Sequence, residues 1–395
     1  MAGALEGIRV LDFSRHLAGP YCAMMLGDLG AEIIKVERPG SGDETRTWGP
    51  PFLGGESAYY LSTNRNKKSL TVNLKDERGV AILREIALES DVLIENLRLG
   101  GLDAIGLGYE DLKPDNPGLV YCSISGFGHT GPDRDLPGYD FMIQARGGFM
   151  SVTGERDGQP TKVGVAIVDI ATGMFASSAV LAALYAREKS GKGQHIDMAL
   201  LDSQVALLAN MGSNALCTGE VPERWGNAHP NVVPYQVFET SDGYVALAIG
   251  NDPQWQRFCE AAGATELAGD ERFATNPKRV VNREALIPLL EEVFKKRTRE
   301  DWLGLCARMD VPAGPVNNVK QVFEDRQVLA REMLVEMPHP TAETVKMAGT
   351  PLNLSETPAK PRSAPPLLGE HTDEILMALG KSPEAIAELR RDGVV

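Results

Sequence analysis

The amino-terminal third of the chain alternates short apolar segments with helix-forming ones, and this alternation is the strongest constraint on the fold. Residues 8–13 (IRVLDF) and 31–37 (AEIIKVE) have the composition of buried strands, and residues 20–31 (PYCAMMLGDLGA) between them that of a helix. A strand followed by a helical crossover rejoins its sheet in the same direction, so this pattern predicts parallel pairing. The pattern recurs with strands at 69–74, 91–97 and 118–127 and a helix at 78–90. The sequence therefore predicts an α/β fold with a mostly parallel, Rossmann-like sheet.

The chain is long enough for two domains. Residues 1–218, which end in a predicted long helix at 202–216, are expected to form the first part of the large Rossmann-like domain. Residues 219–330 begin with a Gly- and Pro-rich linker and continue with a hairpin pattern (YQVFETSDGYVALAI) and amphipathic helices, which predicts a smaller α/β domain. Residues 331–395 contain a Pro-rich return segment and closing helices, and are expected to complete the large domain.

Composition argues against several classes of partner. The net charge of −14 is unfavourable for binding nucleic acid or an anionic membrane. No apolar run approaches the roughly 20 residues that span a bilayer, and the amino terminus lacks the pattern of a signal peptide. The five cysteines are widely spaced without a CxxC motif, which is typical of a reduced, cytoplasmic protein. The six histidines include no HxxxH or HxH pair, so we expect no metal site.

A lone carboxylate, Asp169, follows the apolar residues 163–168 and precedes a segment rich in small side chains (IATGMFASSA). We interpret residues 163–168 as a strand and Ile170 as the start of a helix, so that Asp169 lies at the carboxyl end of a strand, where ligands bind in parallel α/β sheets. An aspartate at such a junction often only caps the helix. The alternative is a covalent nucleophile, with the N–H groups of Ile170 and Ala171 stabilising an oxyanion.

Basic residues at two predicted strand ends are candidates for binding an anionic ligand. Arg38 closes the second strand, and the segment NRNKKSLTVNLK carries four cations in an otherwise acidic chain: Arg65, Lys67, Lys68 and Lys75. Both segments are also consistent with solvated surface. No G-x-G-x-x-G follows the first strand, and neither a P-loop nor a G-x-S-x-G motif is present, which argues against dinucleotide, ATP and esterase chemistry.

The segments together resemble the class III CoA-transferases, also called the CaiB/BaiF family. The opening LEGIRVLDFSRHLAGPYCAMMLGDLGAEIIKVERPGSGDETR is followed in the family's order by NRNKKSLTVNLK, GYD, VAIVDIATGM, GKGQHIDMALLDS, VPAGPVNN and APPLLGEHTDEIL. The similarity covers essentially the whole chain. It is greatest, in RTWGPPF and RWGNAHPNVVPYQ, to the branch that includes succinate–hydroxymethylglutarate CoA-transferase.

The resemblance implies transfer of CoA from an acyl-CoA such as succinyl-CoA to a carboxylic acid. The expected acceptor is a dicarboxylate such as glutarate, and oxalate and formate fit the branch less well. The reaction would pass through an aspartyl anhydride and an aspartyl-CoA thioester, with the CoA thioester as a substrate and no prosthetic group. The partners would be these small molecules and a second copy of the chain in an interlocked homodimer.

The resemblance also implies roles for individual residues. Asp169 matches the nucleophile. The positions that match CoA-binding residues are His16, Leu17, Ala18, Arg38, Val72, Asn73, Leu74, Lys75, Asn96, Leu97 and Tyr139, and Arg98 is a further candidate for binding CoA. Ala104 stands where some relatives have an arginine for the CoA phosphates, so that contact is expected from Arg98 or Lys75.

Four further residues are candidates for binding the acid substrate. Arg46 is a candidate for the distal carboxylate of a diacid because arginine binds carboxylates through two nitrogens, and Trp48 is a candidate for a wall of the same site. Gly226 and Asn227 correspond to the place of a glycine-rich loop that closes over the aspartate in relatives. They are equally consistent with a linker.

Two other enzyme classes remain open at this point. The related 2-methylacyl-CoA racemases carry a histidine where this chain has Tyr139, and its loss removes one of the two acid–base groups that such a reaction needs. A nucleotide-dependent oxidoreductase is the second alternative, because it also uses a Rossmann-like sheet. A third alternative, outside the enzymes, is a protein that binds CoA thioesters without catalysing a reaction.

Overall fold

A computed structural model of the chain describes residues 3–395, which divide into two compact units. The first unit comprises the described residues up to Phe149 together with Val163–Ser213 and Arg326–Val395, and the second comprises Met150–Lys162 and Asn214–Asp325. The sequence pattern predicts residues 150–162 as part of the large domain. They cluster with the second unit because the Arg224 guanidinium donates to three of its carbonyls, those of Glu155, Arg156 and Gly158.

The thirteen strands of the described chain are short. They are β1 (Arg9–Asp12), β2 (Glu32–Glu37), β3 (Phe52–Leu53), β4 (Glu56–Ser57), β5 (Lys67–Thr71), β6 (Val92–Glu95), β7 (Val120–Ser125), β8 (His195–Ala199), β9 (Tyr235–Thr240), β10 (Gly243–Ala248), β11 (Ala313–Pro315), β12 (Leu334–His339) and β13 (Glu343–Ala348).

The helices range from one turn to more than six. They are α1 (Ala18–Asp28), α2 (Ala58–Leu61), α3 (Glu77–Leu88), α4 (Tyr109–Leu112), α5 (Asp140–Arg146), α6 (Phe149–Val152), α7 (Ile167–Ser190), α8 (Leu200–Ala206), α9 (Ala209–Thr218), α10 (Asp252–Ala262), α11 (Thr265–Gly269), α12 (Asn276–Val281), α13 (Arg283–Phe294), α14 (Arg299–Arg308), α15 (Val319–Glu324), α16 (Arg326–Ala330), α17 (Thr372–Ala378) and α18 (Pro383–Arg391).

The first unit is built on a six-stranded sheet in the order β5-β2-β1-β6-β7-β8, and every pair in it is parallel. This confirms the predicted α/β class with a Rossmann-like sheet. The chain runs outward from β1 to β2 and β5, then returns to place β6 on the other side of β1. The carboxyl ends of β1 and β6 therefore flank a topological switch point, the place where open α/β sheets bind ligands.

Alternate residues of the central strands face two separate cores. Leu11 and Ile34 pack in one with α3, α17 and α18, whereas Val10 and Ile33 pack in the other with α1 and α7. Because strand side chains alternate between faces, both faces of the sheet need helical cover. The result is a three-layer arrangement in which α1 and α7 share one face.

Helix α7 begins at Ile167, and residues 163–166 are irregular. The predicted strand at 163–168 is therefore wrong: β8, further along the chain, takes the place beside β7. By length and composition α7 is also a helix that could span a membrane, but half of its most apolar window is buried within the protein. It serves as a core helix of the sheet. The predicted long helix at 202–216 is interrupted as well, at Ala209 with its positive φ of 43°.

The second unit has its own sheet and core. Strands β9 and β10 form the predicted antiparallel hairpin around Ser241 and Asp242, and β11 joins β10 at its other edge. Aromatic side chains fill the core beneath, with the Phe238 and Phe294 rings stacked at 4.4 Å and Trp302 donating its ring N–H to the Phe294 carbonyl.

Close packing of α7 on α1 depends on Gly173. A Cβ at this position would lie 2.6 Å from the carbonyl oxygen of Ala18 and 3.1 Å from the Cβ of Tyr21. Because Ala18 is the first residue of α1, the absence of a side chain at Gly173 sets how near the start of α1 lies to α7.

We expect Gly173→Ala to lower the free energy of unfolding by about 1–3 kcal/mol, since the two helices must separate to admit the methyl group. Gly304→Ala is the matched control: this helical glycine meets only the flexible end of Arg308, at 3.5 Å, so the alanine is expected to be neutral or stabilising by up to about 1 kcal/mol. Urea denaturation of both variants measures the difference, and equal effects would contradict the packing argument.

Candidate active site

A cavity of about 560 Å³ lies at the carboxyl ends of β1, β6 and β7 in the first unit. Its wall contains eight of the residues that sequence analysis selected: His16, Leu17, Ala18, Asn96, Leu97, Arg98, Tyr139 and Asp169. Sequence segments that are far apart thus converge on one volume, because parallel strands all present their carboxyl ends at the same edge of the sheet.

A second cavity of similar volume, about 560 Å³, lies beside the ends of β2 and β5. The predicted CoA-binding residues in its wall are Arg38, Val72, Asn73, Leu74, Lys75 and Leu97. Leu97 borders both cavities. All twelve predicted CoA-binding positions therefore line two neighbouring cavities of one unit, and their contact with CoA itself remains a prediction.

The loops after β1 and β6 are fastened to each other at this edge. The Asn96 side chain accepts from the Arg15 N–H and donates to the Arg15 carbonyl, each at 2.8 Å. The Leu97 N–H donates to the Glu95 carboxylate at 2.8 Å. Below them, the fully buried Lys35 ammonium donates to the Ser14 carbonyl at 2.8 Å and to Asp43 at 2.9 Å. These paired polar groups hold the two loops in a defined arrangement.

Asp169 is the third residue of α7, and it does not cap the helix. The cap is Asp140, whose carboxylate accepts from the N–H of Val168 at 2.8 Å and that of Asp169 at 3.4 Å. Gln144 donates to the same carboxylate at 2.7 Å and accepts from the Val163 N–H at 2.8 Å. The capping interpretation of Asp169 is therefore wrong, and its side chain is left in the cavity wall.

The N–H groups of Ile170 and Ala171, which were predicted to stabilise an oxyanion, are not available for that role. The Ile170 N–H already donates to the Ala166 carbonyl at 3.1 Å, and Ala171 lies deeper in the helix, so the prediction for this pair is wrong. The start of α1 lies in the same cavity wall at Ala18, and no side chain caps it. Its first N–H groups are therefore better placed as donors to an anion.

The carboxyl group of Asp169 is difficult to ionise. Burial, reinforced by the charge of Asp140, raises the pKa of Asp169 to about 7. Burial, together with the charges of Asp169 and Asp140, also raises the pKa of Tyr59 to about 12, so this phenol stays protonated as a hydrogen-bond donor. The sequence does not reveal Tyr59 as a site residue, because nothing in the spacing of SAYYLS distinguishes it from a core tyrosine.

The structure contradicts the assignment of Arg46. Its side chain is 7% exposed, with ion pairs to Glu37 at 2.8 Å and to Glu56 at 2.9 Å and a 2.6 Å hydrogen bond to Tyr60. These partners use the guanidinium nitrogens inside the protein, so none remains for a substrate carboxylate. Trp48 does lie beside the site, since its ring stacks on His16 at 5.3 Å.

Most of the cations of NRNKKSLTVNLK are likewise used within the fold. Arg65 pairs with Asp28 at 2.6 Å, Lys67 with Asp12 at 3.2 Å, and Lys68 with Glu32 at 3.0 Å. Only Lys75 of this group lies in the wall of a cavity described above. The sequence could not separate these cases, because the acidic partners come from other strands and helices.

Gly226 and Asn227 belong to the second unit. The Gly226 N–H donates to the Gly154 carbonyl at 3.0 Å, and the neighbouring Trp225 ring lies under the guanidinium groups of Arg283 at 4.2 Å and Arg156 at 5.4 Å. The turn is thus tied to its own unit by a backbone bond and two cation–π contacts. A role in substrate binding stays a prediction.

Comparison with known proteins identifies the chain. The family model for CoA-transferase family III matches residues 5–372. The chain belongs to this family. It is 47% identical over 392 residues to succinyl-CoA:glutarate CoA-transferase of Homo sapiens, covering 99% of this chain and 90% of that protein. It is 47% identical over 381 residues to succinate–glutarate CoA-transferase of Agrobacterium fabrum, covering 95% of each.

The fold has close counterparts among solved structures. A crystal structure of a CaiB/BaiF family protein from Brucella suis superimposes with a TM-score of 0.87 at 48% identity, covering 96% of this chain and all of that one. The chain is thus a class III CoA-transferase that uses CoA thioesters as substrates. This confirms the transferase prediction over the racemase and oxidoreductase alternatives.

The raised pKa of Asp169 predicts a pH-dependent stability. The unfolded carboxyl loses its proton near pH 4, whereas the folded one keeps it until about pH 7, so the folded state loses stability as pH rises through this window. Asp169→Asn, which cannot ionise, is expected to escape that loss and to gain melting temperature over the wild type between pH 4.5 and 7.5.

The exposed Asp135, in the same cavity wall, provides the control, since Asp135→Asn should keep the wild-type pH dependence. Differential scanning fluorimetry across the pH range measures all three proteins. A constant offset between Asp169→Asn and the wild type would show that the carboxyl is not perturbed.

Proposed function

We propose that this transferase moves CoA from succinyl-CoA to a dicarboxylic acid and that Asp169 is the residue that carries the transferred groups. The supporting observation is the place of the Asp169 carboxylate in the wall of a cavity shared with the positions that match CoA-binding residues. The relatives whose names specify succinyl-CoA with glutarate, or succinate with glutarate, support the substrate class. A relative from Haloarcula marismortui, 40% identical over 388 residues, is a succinyl-CoA:mesaconate CoA-transferase.

The reaction proceeds through two covalent states of the aspartate. The Asp169 carboxylate attacks the thioester carbonyl, the C–S bond breaks, and an acyl–aspartyl anhydride and the CoA thiolate result. The thiolate then attacks the aspartyl carbonyl, which releases the donor acid and leaves an aspartyl-CoA thioester. The acceptor carboxylate reverses these steps. The overall reaction releases one carboxylic acid and consumes another of similar basicity, so the thioester bond energy is conserved without ATP.

The environment of Asp169 suits this role. Partial removal from water makes a carboxylate more reactive, and Asp140 holds the helix so that the Asp169 side chain is not consumed as a cap. The uncapped start of α1, at Ala18, supplies N–H donors for the oxyanion, each typically worth about 3 kcal/mol in such sites. The Tyr59 phenol is a further donor close enough for its pKa to respond to the charge of Asp169.

CoA is expected to extend from the first cavity into the second past Leu97. Arg38 and Lys75 in the second cavity supply the positive charge for its phosphates. Arg98 borders the first cavity next to Leu97 and supplements them, which compensates for Ala104 at the position where some relatives have arginine.

The partner of the chain is a second copy of itself. Helix α7 exposes several large apolar side chains along one side, among them Met174, Phe175 and Tyr185, and surfaces of this kind commonly mark an interface. The interlocked form of the dimer follows from the family resemblance alone. A cytoplasmic location is consistent with the five cysteines, all of which are free thiols.

Replacement of Asp169 tests the central proposal. We expect Asp169→Ala and Asp169→Asn to fold but to lose CoA transfer by at least about 1,000-fold, since neither can form the anhydride. In the wild type, mass spectrometry after quenching with hydroxylamine in the presence of succinyl-CoA should find the modification on the peptide that contains residue 169. Wild-type turnover by the purified alanine variant would refute the role of Asp169.

The pH dependence of kcat/KM tests the raised pKa of Asp169 and the contribution of Asp140 to it. Because the attacking carboxyl must be ionised, activity is expected to rise with pH through a midpoint near 7, the pKa of Asp169. Asp140→Asn keeps an acceptor for the first N–H groups of α7 and removes the charge that adds to burial in raising this pKa, so its midpoint should move to lower pH. An unchanged midpoint in a folded Asp140→Asn protein would contradict the coupling of the two carboxylates.

A further inference from the structure

A dicarboxylic acid leaves one carboxylate unreacted, and the exclusion of Arg46 leaves that group without a partner. Burying a carboxylate without a cation or hydrogen bonds is costly, so the cavity must supply one. Among the described residues, the wall of the first cavity contains three basic side chains, those of His16, Arg98 and Arg134.

Two of these three side chains, those of His16 and Arg98, have other neighbours. His16 stacks on Trp48 at 5.3 Å, and its Nε2 lies 3.7 Å from the Glu44 carboxylate. Arg98 follows Leu97, which borders the second cavity, and it also lines a small polar cavity with Glu95. Arg98 is thus on the side of the site that the nucleotide part of CoA is expected to occupy.

Arg134 is differently placed. Within residues 3–395, its one polar contact is between Nε and the adjacent Asp135 carboxylate at 3.6 Å, and the two side chains are 54% and 73% exposed. An ion pair that is so exposed is worth little, and both terminal nitrogens of the guanidinium remain for a ligand. A guanidinium binds a carboxylate through two parallel hydrogen bonds, which fixes both position and orientation.

The loop that carries Arg134 is anchored at both ends. Asp133, immediately before it, forms an ion pair with Arg146 of α5, and the Leu136 N–H donates to the Asp133 carbonyl at 2.9 Å. Gly138 passes so close to Gly126 that a Cβ on either would overlap the other's backbone. Leu136 and Pro137 also line the cavity, so the loop forms part of its wall.

We propose that Arg134 binds the distal carboxylate of the dicarboxylic acid and is the residue that makes the enzyme prefer diacids to monoacids. This inference rests on the proposed function. A diacid replaces the weak contact of Arg134 with Asp135 by a paired carboxylate, whereas a monoacid of equal length offers the guanidinium only a methyl group.

The test compares two acceptors of equal chain length, glutarate and pentanoate, with succinyl-CoA as the donor for both. Any effect of a substitution on the succinyl group cancels in the ratio of the two kcat/KM values. For Arg134→Gln we expect kcat/KM for glutarate to fall about 10- to 100-fold, the size of a lost charged hydrogen-bonding pair, and that for pentanoate to change less than about twofold. Arg134→Lys should give an intermediate ratio, since lysine retains the charge without the two-nitrogen geometry.

Arg98→Gln is the matched comparison, an arginine in the same cavity wall. It is expected to raise KM for succinyl-CoA and to lower transfer to both acceptors in parallel, which leaves the ratio unchanged. Monomethyl glutarate provides a test from the substrate side that needs only the wild type. Esterification should lower kcat/KM of the wild type by the same factor as the Arg134→Gln substitution lowers it for glutarate. In the Arg134→Gln variant, esterification should leave kcat/KM almost unchanged.

The measurements distinguish a failure of the Arg134 assignment from a failure of the proposed function. If the wild type transfers CoA to glutarate and Arg134→Gln keeps the wild-type ratio, the assignment of Arg134 is wrong while the proposed function stands. If the wild type accepts monomethyl glutarate as well as glutarate, the assignment also fails. If the wild type transfers CoA from succinyl-CoA to no dicarboxylic acid, the proposed function itself fails.

Discussion

The arrangement of the site depends on the carboxylate of Asp140, which caps the start of α7. Any helix of this length needs an acceptor for its first N–H groups, and Ala166 at the N-cap position has no side chain that could serve. The Asp140 carboxylate accepts from the N–H groups of Val168 and Asp169 instead, so the side chain of Asp169 is not needed as a cap. Gln144 extends the same contact to the backbone at Val163, so that the irregular segment before the helix is held as well.

That arrangement places the carboxylates of Asp140 and Asp169 near each other, and their repulsion changes the basicity of Asp169. The negative charge of Asp140 adds to burial in raising the pKa of Asp169 to about 7, which gives a carboxylate that is more basic than a free one. A site built in this way is less stable than it would be with a neutral residue, as functional sites often are. The close approach of α7 to α1 at Gly173 then brings the uncapped start of α1 into the same wall.

Charged side chains divide between structure and function in a way that their sequence positions do not reveal. Arg46 stands in a conspicuous motif, yet its nitrogens are used by Glu37, Glu56 and Tyr60. Arg134 stands in an unremarkable loop, yet it lies in the cavity wall with its terminal nitrogens available. The difference is set by which acidic groups reach each guanidinium, and those groups come from distant parts of the chain.

The sequence by itself determined the class of fold and which chain segments meet at the cavity. The strand and helix periods are local properties, and parallel strands necessarily bring the segments after them, such as those at His16 and Asn96, to one edge of the sheet. Only the tertiary structure decided that residues 163–166 are irregular, that Asp140 rather than Asp169 is the cap, and that Tyr59 lies near the carboxylate. Those outcomes depend on hydrogen bonds and charges between residues far apart in the chain, for which no local pattern exists.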